Sequence, residues 1–228
     1  MLLANMDPVR VRYFSDVLCV WAYIGQVRVD ELTANFPERV QIEGHFCPVF
    51  GDLVGKLGAR WAERGGLAGY GAHVQGLAKK FPHVQFHPSL YEGEVPVSSL
   101  SAHVFLCAIR LLEHEQGTAG TCQRAAWAVR EAFFRDALDV SSRRVQLEIA
   151  EGLGLSTAAI EERLDSGAAH AELSRDYDLA RELQVNLSPT LLLDEGRQRL
   201  NGNVGYRIIE ANVKELLRER TTDQASWC

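Results

Sequence analysis

The sequence predicts an α/β protein in which a βαβ unit and a ββα unit frame a large all-helical insertion. Three observations carry this. Residues 9–46 read as strand, helix and strand. Residues 98–184 are helical in pattern almost throughout. Residues 185–220 return to two short strands about a turn and close on an amphipathic helix. The expected organisation is therefore 1–50 for the first half of the sheet unit, 51–184 for the insertion, 185–220 for the second half and 221–228 for a tail.

The first strand, 9–14, alternates Val9, Val11 and Tyr13 with Arg10 and Arg12, a half-polar pattern unlike the continuous apolar run of a strand covered on both faces. Residues 21–36 have helical apolar spacing through Ile24, Val27 and Leu32, and Pro37 ends the helix. Residues 39–46, RVQIEGHF, form the second strand. A βαβ unit makes the two strands parallel, so both open on the same edge, where α/β sheets bind ligands. Residues 51–96 hold Gly65, Gly66, Gly69, Gly71 and Gly76, which break any long pattern and predict loops and short helices. His73, His83 and His87 lie here without the tight spacing of metal ligands and read as surface or packing residues.

Five helices follow at 99–116, 120–137, 141–152, 156–165 and 168–184. Ser141 and Ser156 are the expected N-caps, and Gly117, Gly152 and Gly167 the C-terminal stops. Cys107 and Cys122 fall on apolar faces and read as inert core residues. Residues 190–193, a turn at 194–197 and residues 198–200 make a hairpin. The last helix, 206–220, offers Ile208, Ile209, Val213, Leu216 and Leu217 as its core face. This order, βαβ, helices, ββα, is that of a thioredoxin-type sheet with helices inserted between its halves.

Composition narrows the function. The chain is 46% hydrophobic and 24% charged, ordinary for a globular protein. A net charge of -6 and the lack of any Lys/Arg run argue against a nucleic-acid partner. No apolar run is long enough for a membrane span, and MLLANMDPVR has no basic-then-apolar leader pattern. The five cysteines, at 19, 47, 107, 122 and 228, are odd in number, scattered, and without zinc-site spacing. The expectation is a cytoplasmic protein with reduced thiols and no metal.

Cys19 is the candidate catalytic residue. It stands where loop becomes helix, so unpaired N–H groups and the positive end of the helix dipole favour its thiolate, and a depressed pKa is expected. The alternative is a small buried apolar residue. The run Cys19-Val20-Trp21-Ala22 has Ala22 where a dithiol site needs its second thiol, so no ring closes within it. Trp21 and Tyr23 are expected to serve mainly as packing around the helix start. Cys47 ends the second strand and faces the same sheet edge as Cys19, which makes it one resolving thiol to weigh. Cys228, in a tail ending Ser226-Trp227-Cys228, is another. The alternative for both is that Cys47 packs under the loop beginning at Pro48 and that Cys228 is solvated.

The stretch SDVLCVWAYIG resembles the active-site segment of cytoplasmic DsbA-like thioredoxin-fold proteins, whose usual form has two cysteines flanking Pro-Trp. LSPTLLL resembles their cis-proline loop, and NGNVGYRIIEANVKELL their C-terminal helix segment. HFCPVFGD resembles the sister branch of kappa-class glutathione transferases and hydroxychromene-carboxylate isomerases. The resemblance covers nearly the whole chain. It implies a cis Ser188–Pro189 bond beside Cys19, against the trans bond that proline otherwise prefers. It implies substrate contacts at Trp21, Ala22, Ser188, Pro189 and Thr190, and glutathione contacts at Gly202 and Asn203. The sister branch often has serine at the Cys19 position and an aspartate near Asn203, and this chain has neither.

Three readings follow. Cys19 is the single thiol of a thiol-disulfide oxidoreductase, with glutathione as co-substrate and no tightly bound cofactor. Or the protein is a glutathione-dependent transferase or isomerase. Or it is a non-catalytic thiol-containing binding module. The partners expected are a protein or small-molecule thiol or disulfide, with room for a homodimer.

Overall fold

The computed structural model describes residues 7–222. A four-stranded sheet has the order β2-β1-β3-β4, with β1 at Val9–Ser15, β2 at Val40–Phe46, β3 at Thr190–Leu193 and β4 at Gln198–Asn201. β1 and β2 are parallel, from Val9 opposite Val40 to Ser15 opposite Phe46. β3 is antiparallel to both β1 and β4. The hairpin turn places Asp194, Glu195 and Gly196 at positive φ.

Helix α1, Val20–Asn35, connects β1 to β2. Its second half and the last helix, Tyr206–Thr222, cover one face of the sheet, burying Val9, Val11, Tyr13, Val29, Leu32, Leu191, Ile209 and Val213 together. Ile208, expected in that core, is 55% exposed, one position off the buried stripe. On the other face Phe14, Cys47 and Leu192 pack against Ala180 and Val185. The cover reaches only this end of the strands. Arg10 is left exposed and Arg12 half-buried, with Arg12 bonding Glu195 at 2.9 Å, which explains the half-polar pattern of a central strand.

Between β2 and β3 lie α2 (Leu53–Arg60), a 3₁₀ turn (Ala62–Arg64), α3 (Gly66–Ala78), α4 (Leu100–Gln116), α5 (Thr121–Phe134), α6 (Arg143–Gly152), α7 (Thr157–Asp165) and α8 (Ala168–Glu182), the terminal helix being α9. α3 corrects the expectation that its glycines break the pattern. Buried Tyr70, Val74 and Leu77 hold it, and packing overrides weak propensity. A Cβ at Gly71 would lie 2.9 Å from the Leu90 carbonyl, so the glycine permits that approach.

Ser156 caps α7 by accepting from Ala159 N–H at 3.3 Å. At α6 the N-cap is Ser142 rather than Ser141, whose hydroxyl instead binds Asp139. Gly117 ends α4 in the left-handed region and Gly167 separates α7 from α8. After α6 it is Gly154 that turns left-handed, not Gly152. Cys107 is wholly buried. Cys122 is half-buried, its sulfur 3.5 Å from Leu106 O. His83 reaches Ile24 O at 2.9 Å and His73 leans on Trp61, so both pack.

The insertion is fastened to the sheet by a buried ion pair. Arg110 of α4 binds Asp176 of α8 through Nη2–Oδ2 at 2.6 Å and reaches Gly44 O of β2 at 3.0 Å. Asp176 also accepts Phe46 N–H at 2.9 Å and His45 Nδ1 at 2.8 Å. Burial works against the Asp176 carboxylate, but His45 and Arg110 outweigh it and hold its pKa below the ordinary value.

Candidate functional site

Cys19 is the N-cap of α1, in extended conformation, with its carbonyl accepting Ala22 N–H at 3.0 Å and Tyr23 N–H at 3.1 Å. The side chain is 4% exposed and its thiol donates to Ser188 O at 3.2 Å. The Ser188–Pro189 bond is cis. The loop before β3 therefore lies directly on the sulfur, 169 residues away in sequence.

The expected depressed acidity of Cys19 is overturned. Burial pushes the thiol above its ordinary pKa, and the charge of Asp16 adds to the rise. The Ser188 side chain and the Ala22 and Trp21 N–H groups pull the other way and do not prevail. The helix start is present as expected, but the sulfur is sealed from water.

The other expected site residues divide. Trp21 is half-buried and packs edge-on to Phe81 at 6.0 Å between ring centroids. Tyr23 stacks on Phe134 at 4.8 Å and on Trp127 at 5.1 Å, so both aromatics do pack around the helix start. Ala22 is wholly buried, so its side chain is not a substrate contact. Ser188 and Pro189 are buried beside Cys19, and Ser188 Oγ accepts Asp16 N–H at 2.9 Å. Thr190 is wholly buried, with its hydroxyl donating to Leu187 O at 2.9 Å. It shapes the loop instead of facing a partner. Gly202 holds that loop from behind, its N–H on Pro189 O at 2.7 Å, while exposed Asn203 accepts from Arg28.

Cys47 is brought to the same loop, its sulfur 4.0 Å from Leu187 O. It is 1% exposed, and burial, with Asp16 and Cys19 adding, drives its thiol far up. Cys228 lies outside the described residues.

Asp16 was missed. Its only sequence signal is a short acidic residue between a strand end and a helix cap, a place where carboxylates gather loop N–H groups. It is wholly buried, and its carboxylate accepts Leu18 N–H at 2.9 Å, Phe50 N–H at 2.7 Å and Ser99 Oγ–H at 2.9 Å. His103, on α4, lies 3.7 Å away through Nε2. Leu187, 50% exposed, stands at the rim next to Ser188.

A cavity of about 800 Å³ lies apart from this site, between β2, α4, α5 and α8, with Tyr13, His45, Arg110 and Asp176 on its walls. Neither Cys19 nor Pro189 lines it. Among the described residues no group of His, Cys, Asp and Glu is arranged to hold a metal, and no helix is long and apolar enough to cross a membrane.

One family model matches a chain with this four-stranded sheet and its inserted helices. The DSBA-like thioredoxin domain matches residues 10–214. The chain belongs to that family. Its members include thiol-disulfide oxidoreductases, and the neighbours in structure include an isomerase. No curated protein sequence matches the chain. A probable DsbA oxidoreductase of Streptomyces coelicolor superposes with TM-score 0.70 at 20% identity, covering 96% of this chain and 93% of the other. A 2-hydroxychromene-2-carboxylate isomerase gives 0.66 at 16%, covering 95% and 100%. The cytosolic disulfide reductase DsbM of Pseudomonas aeruginosa, solved with glutathione, gives 0.64 at 17%, covering 92% and 99%. At these identities the likeness is one of fold.

Proposed function

We propose that this DSBA-like protein is a single-thiol oxidoreductase with glutathione as co-substrate and no tightly bound cofactor. The observation that carries the reading is the contact of Cys19 Sγ with Ser188 O beside cis Pro189. Cys19, deprotonated, attacks one sulfur of a disulfide. The old S–S bond breaks, the leaving thiolate takes up a proton, and Cys19 is held in a mixed disulfide. A glutathione thiolate then attacks the substrate sulfur of that bond and releases Cys19 as thiol. One cycle converts a disulfide and a glutathione into a thiol and a glutathione mixed disulfide, and a second glutathione thiolate attacking that product completes the two-electron reduction, leaving two thiols and oxidised glutathione. The burial that raises the Cys47 thiol favours glutathione over Cys47 as the resolving thiol. A reducing, cytoplasmic setting, in which such exchange runs toward thiols, belongs to the same proposal.

Incubation with oxidised glutathione, followed by mass spectrometry, tests this. One glutathione on Cys19, absent in Cys19→Ser and removed by added glutathione, is the expected result. Modification that persists in Cys19→Ser overturns it.

The burial of Cys19 favours a second reading, a glutathione transferase or isomerase in which the protonated thiol donates to a bound glutathione sulfur. Conjugation of an aryl halide to glutathione, without redox turnover, would support that reading over the first.

A further inference from the structure

We infer that Asp16 is a positioning residue for Cys19, and that its buried charge keeps the sulfur in its uncharged forms, thiol and mixed disulfide, at the expense of thiolate. The inference rests on the reading of Cys19 as the exchanging thiol.

The geometry begins with what Asp16 joins. Its carboxylate holds Leu18 of the cysteine loop, Phe50 of the loop after β2 and Ser99 at the start of α4. Its own N–H holds Ser188 Oγ of the cis-proline loop, and its carbonyl accepts Cys19 N–H at 3.1 Å. One residue thus ties together four segments, among them the cysteine loop and the cis-proline loop that lies on the sulfur. All three carboxylate partners are neutral donors, so they orient the charge without cancelling it.

His103 does not cancel it either. Its Nε2 accepts Val17 N–H at 3.2 Å, which places the ring proton on Nδ1, 2.9 Å from Tyr177 Oη. The ring is therefore neutral, in agreement with the burial that lowers its pKa.

Other ionisable groups around the pair are Cys47, Tyr13 of β1, Tyr70 of α3, Tyr91 and Tyr177 of α8, all pushed up by burial and uncharged at neutral pH, and the buried Arg130 of α5, which donates to Ser15 Oγ at 2.8 Å one residue before Asp16. Lys56 of α2 is a second cation, and it senses both groups. Its ammonium is engaged by Val49 O and stands 5.4 Å over the Phe50 ring. Asp16 thus supplies the nearest negative charge on the sulfur's own loop, and its Coulombic effect on Cys19 is unfavourable to thiolate.

Thiol and mixed disulfide are both uncharged, so a charge at Asp16 acts on the thiolate that links them. It slows entry and exit alike and leaves their equilibrium in place. Each pKa unit removed raises the thiolate population about tenfold below the pKa. The weaker nucleophilicity of the more acidic thiolate returns about a threefold factor, for a net gain of about threefold.

The test is Asp16→Asn. Iodoacetamide alkylation of Cys19 is followed against pH by peptide mass spectrometry, alongside exchange with bis(2-hydroxyethyl) disulfide, an uncharged probe. The expected result is an alkylation profile displaced to lower pH, with adduct formation and release at pH 7 both faster, by about threefold for each pH unit of displacement, and an unchanged equilibrium constant. A folded variant with an unmoved profile overturns the inference, as does one in which only the equilibrium shifts. A displaced profile with no adduct in either protein leaves the Asp16 assignment standing and sinks the exchange reading. Should the variant not fold, the Asp16 carboxyl carbon in the wild-type protein decides by NMR. Its signal is expected to inflect as Cys19 ionises and to lose that inflection in Cys19→Ser. An identical titration in both proteins overturns the inference.

Discussion

Replacing Arg110 by Met removes the cation that joins α4, α8 and β2. The guanidinium side chain is 11% exposed and the Asp176 carboxylate 5%, so solvent screens little of what is lost. The substitution strips Asp176 of its 2.6 Å and 3.2 Å contacts and frees the Gly44 carbonyl, while His45 and Phe46 N–H stay on the carboxylate. Removing one partner of a buried pair costs about 3–5 kcal/mol. For a chain of this size that is a fall in melting temperature of roughly 6–20 °C. Thermal unfolding by circular dichroism measures it, and pH supplies the signature. Asp176 has its folded pKa depressed, so its contribution is present above the unfolded carboxylate value of about 3.9 and is lost as pH falls through the lower folded value. The gap between wild type and Arg110→Met is therefore widest near neutral pH and closes below about pH 4. A fall of less than about 2 °C at pH 7, or a gap that persists unchanged into acid, refutes the assignment of this pair as the fastening.

Two further outcomes concern the site. In the wild-type protein, Cys19 alkylates at pH 7 more slowly than a free thiol, and its rate climbs about tenfold per pH unit up to pH 9 without a plateau. A plateau below pH 8 contradicts the sealed sulfur. Cys47→Ala leaves glutathionylation of Cys19 and its reversal unchanged within about twofold, and mild oxidation of the wild type yields no Cys19–Cys47 linked peptide. A slowed release in Cys47→Ala contradicts glutathione as the resolving thiol.

Periodicity found the elements because each one buries a face. The strands, the hairpin turn and the helix from 168 onward follow directly from apolar spacing and turn residues. It failed at α3, where glycines predict loops one residue at a time, because Tyr70, Val74 and Leu77 bury enough area together to override them. It misplaced Ile208 because one residue is about 100° around a helix, and only the partner surface decides which side of the stripe is covered. Ala22 and Thr190 were placed in the right segments, but a segment does not say which way a side chain faces. Thr190, opposite Phe14 and Asn201 in the sheet, turns inward.

The acidity of Cys19 shows where local reasoning ends. Residues 19–22 alone specify a helix N-terminus, and a helix N-terminus stabilises a thiolate, which the Trp21 and Ala22 N–H groups do here. The terms that prevail come from elsewhere in the chain. Ser188 lies on the sulfur, Phe50 packs in the same core cluster, and Phe50, Ser99 and Ser188 hold Asp16 buried on the same loop. A dipole at a helix end is worth about 0.3–1 kcal/mol at an exposed site, less than one pKa unit. Full burial moves an ionisable group by up to 3–5 units. The sign of the shift is therefore set by the tertiary enclosure, and the same loops that bring the cis-proline onto Cys19 are the ones that keep it protonated.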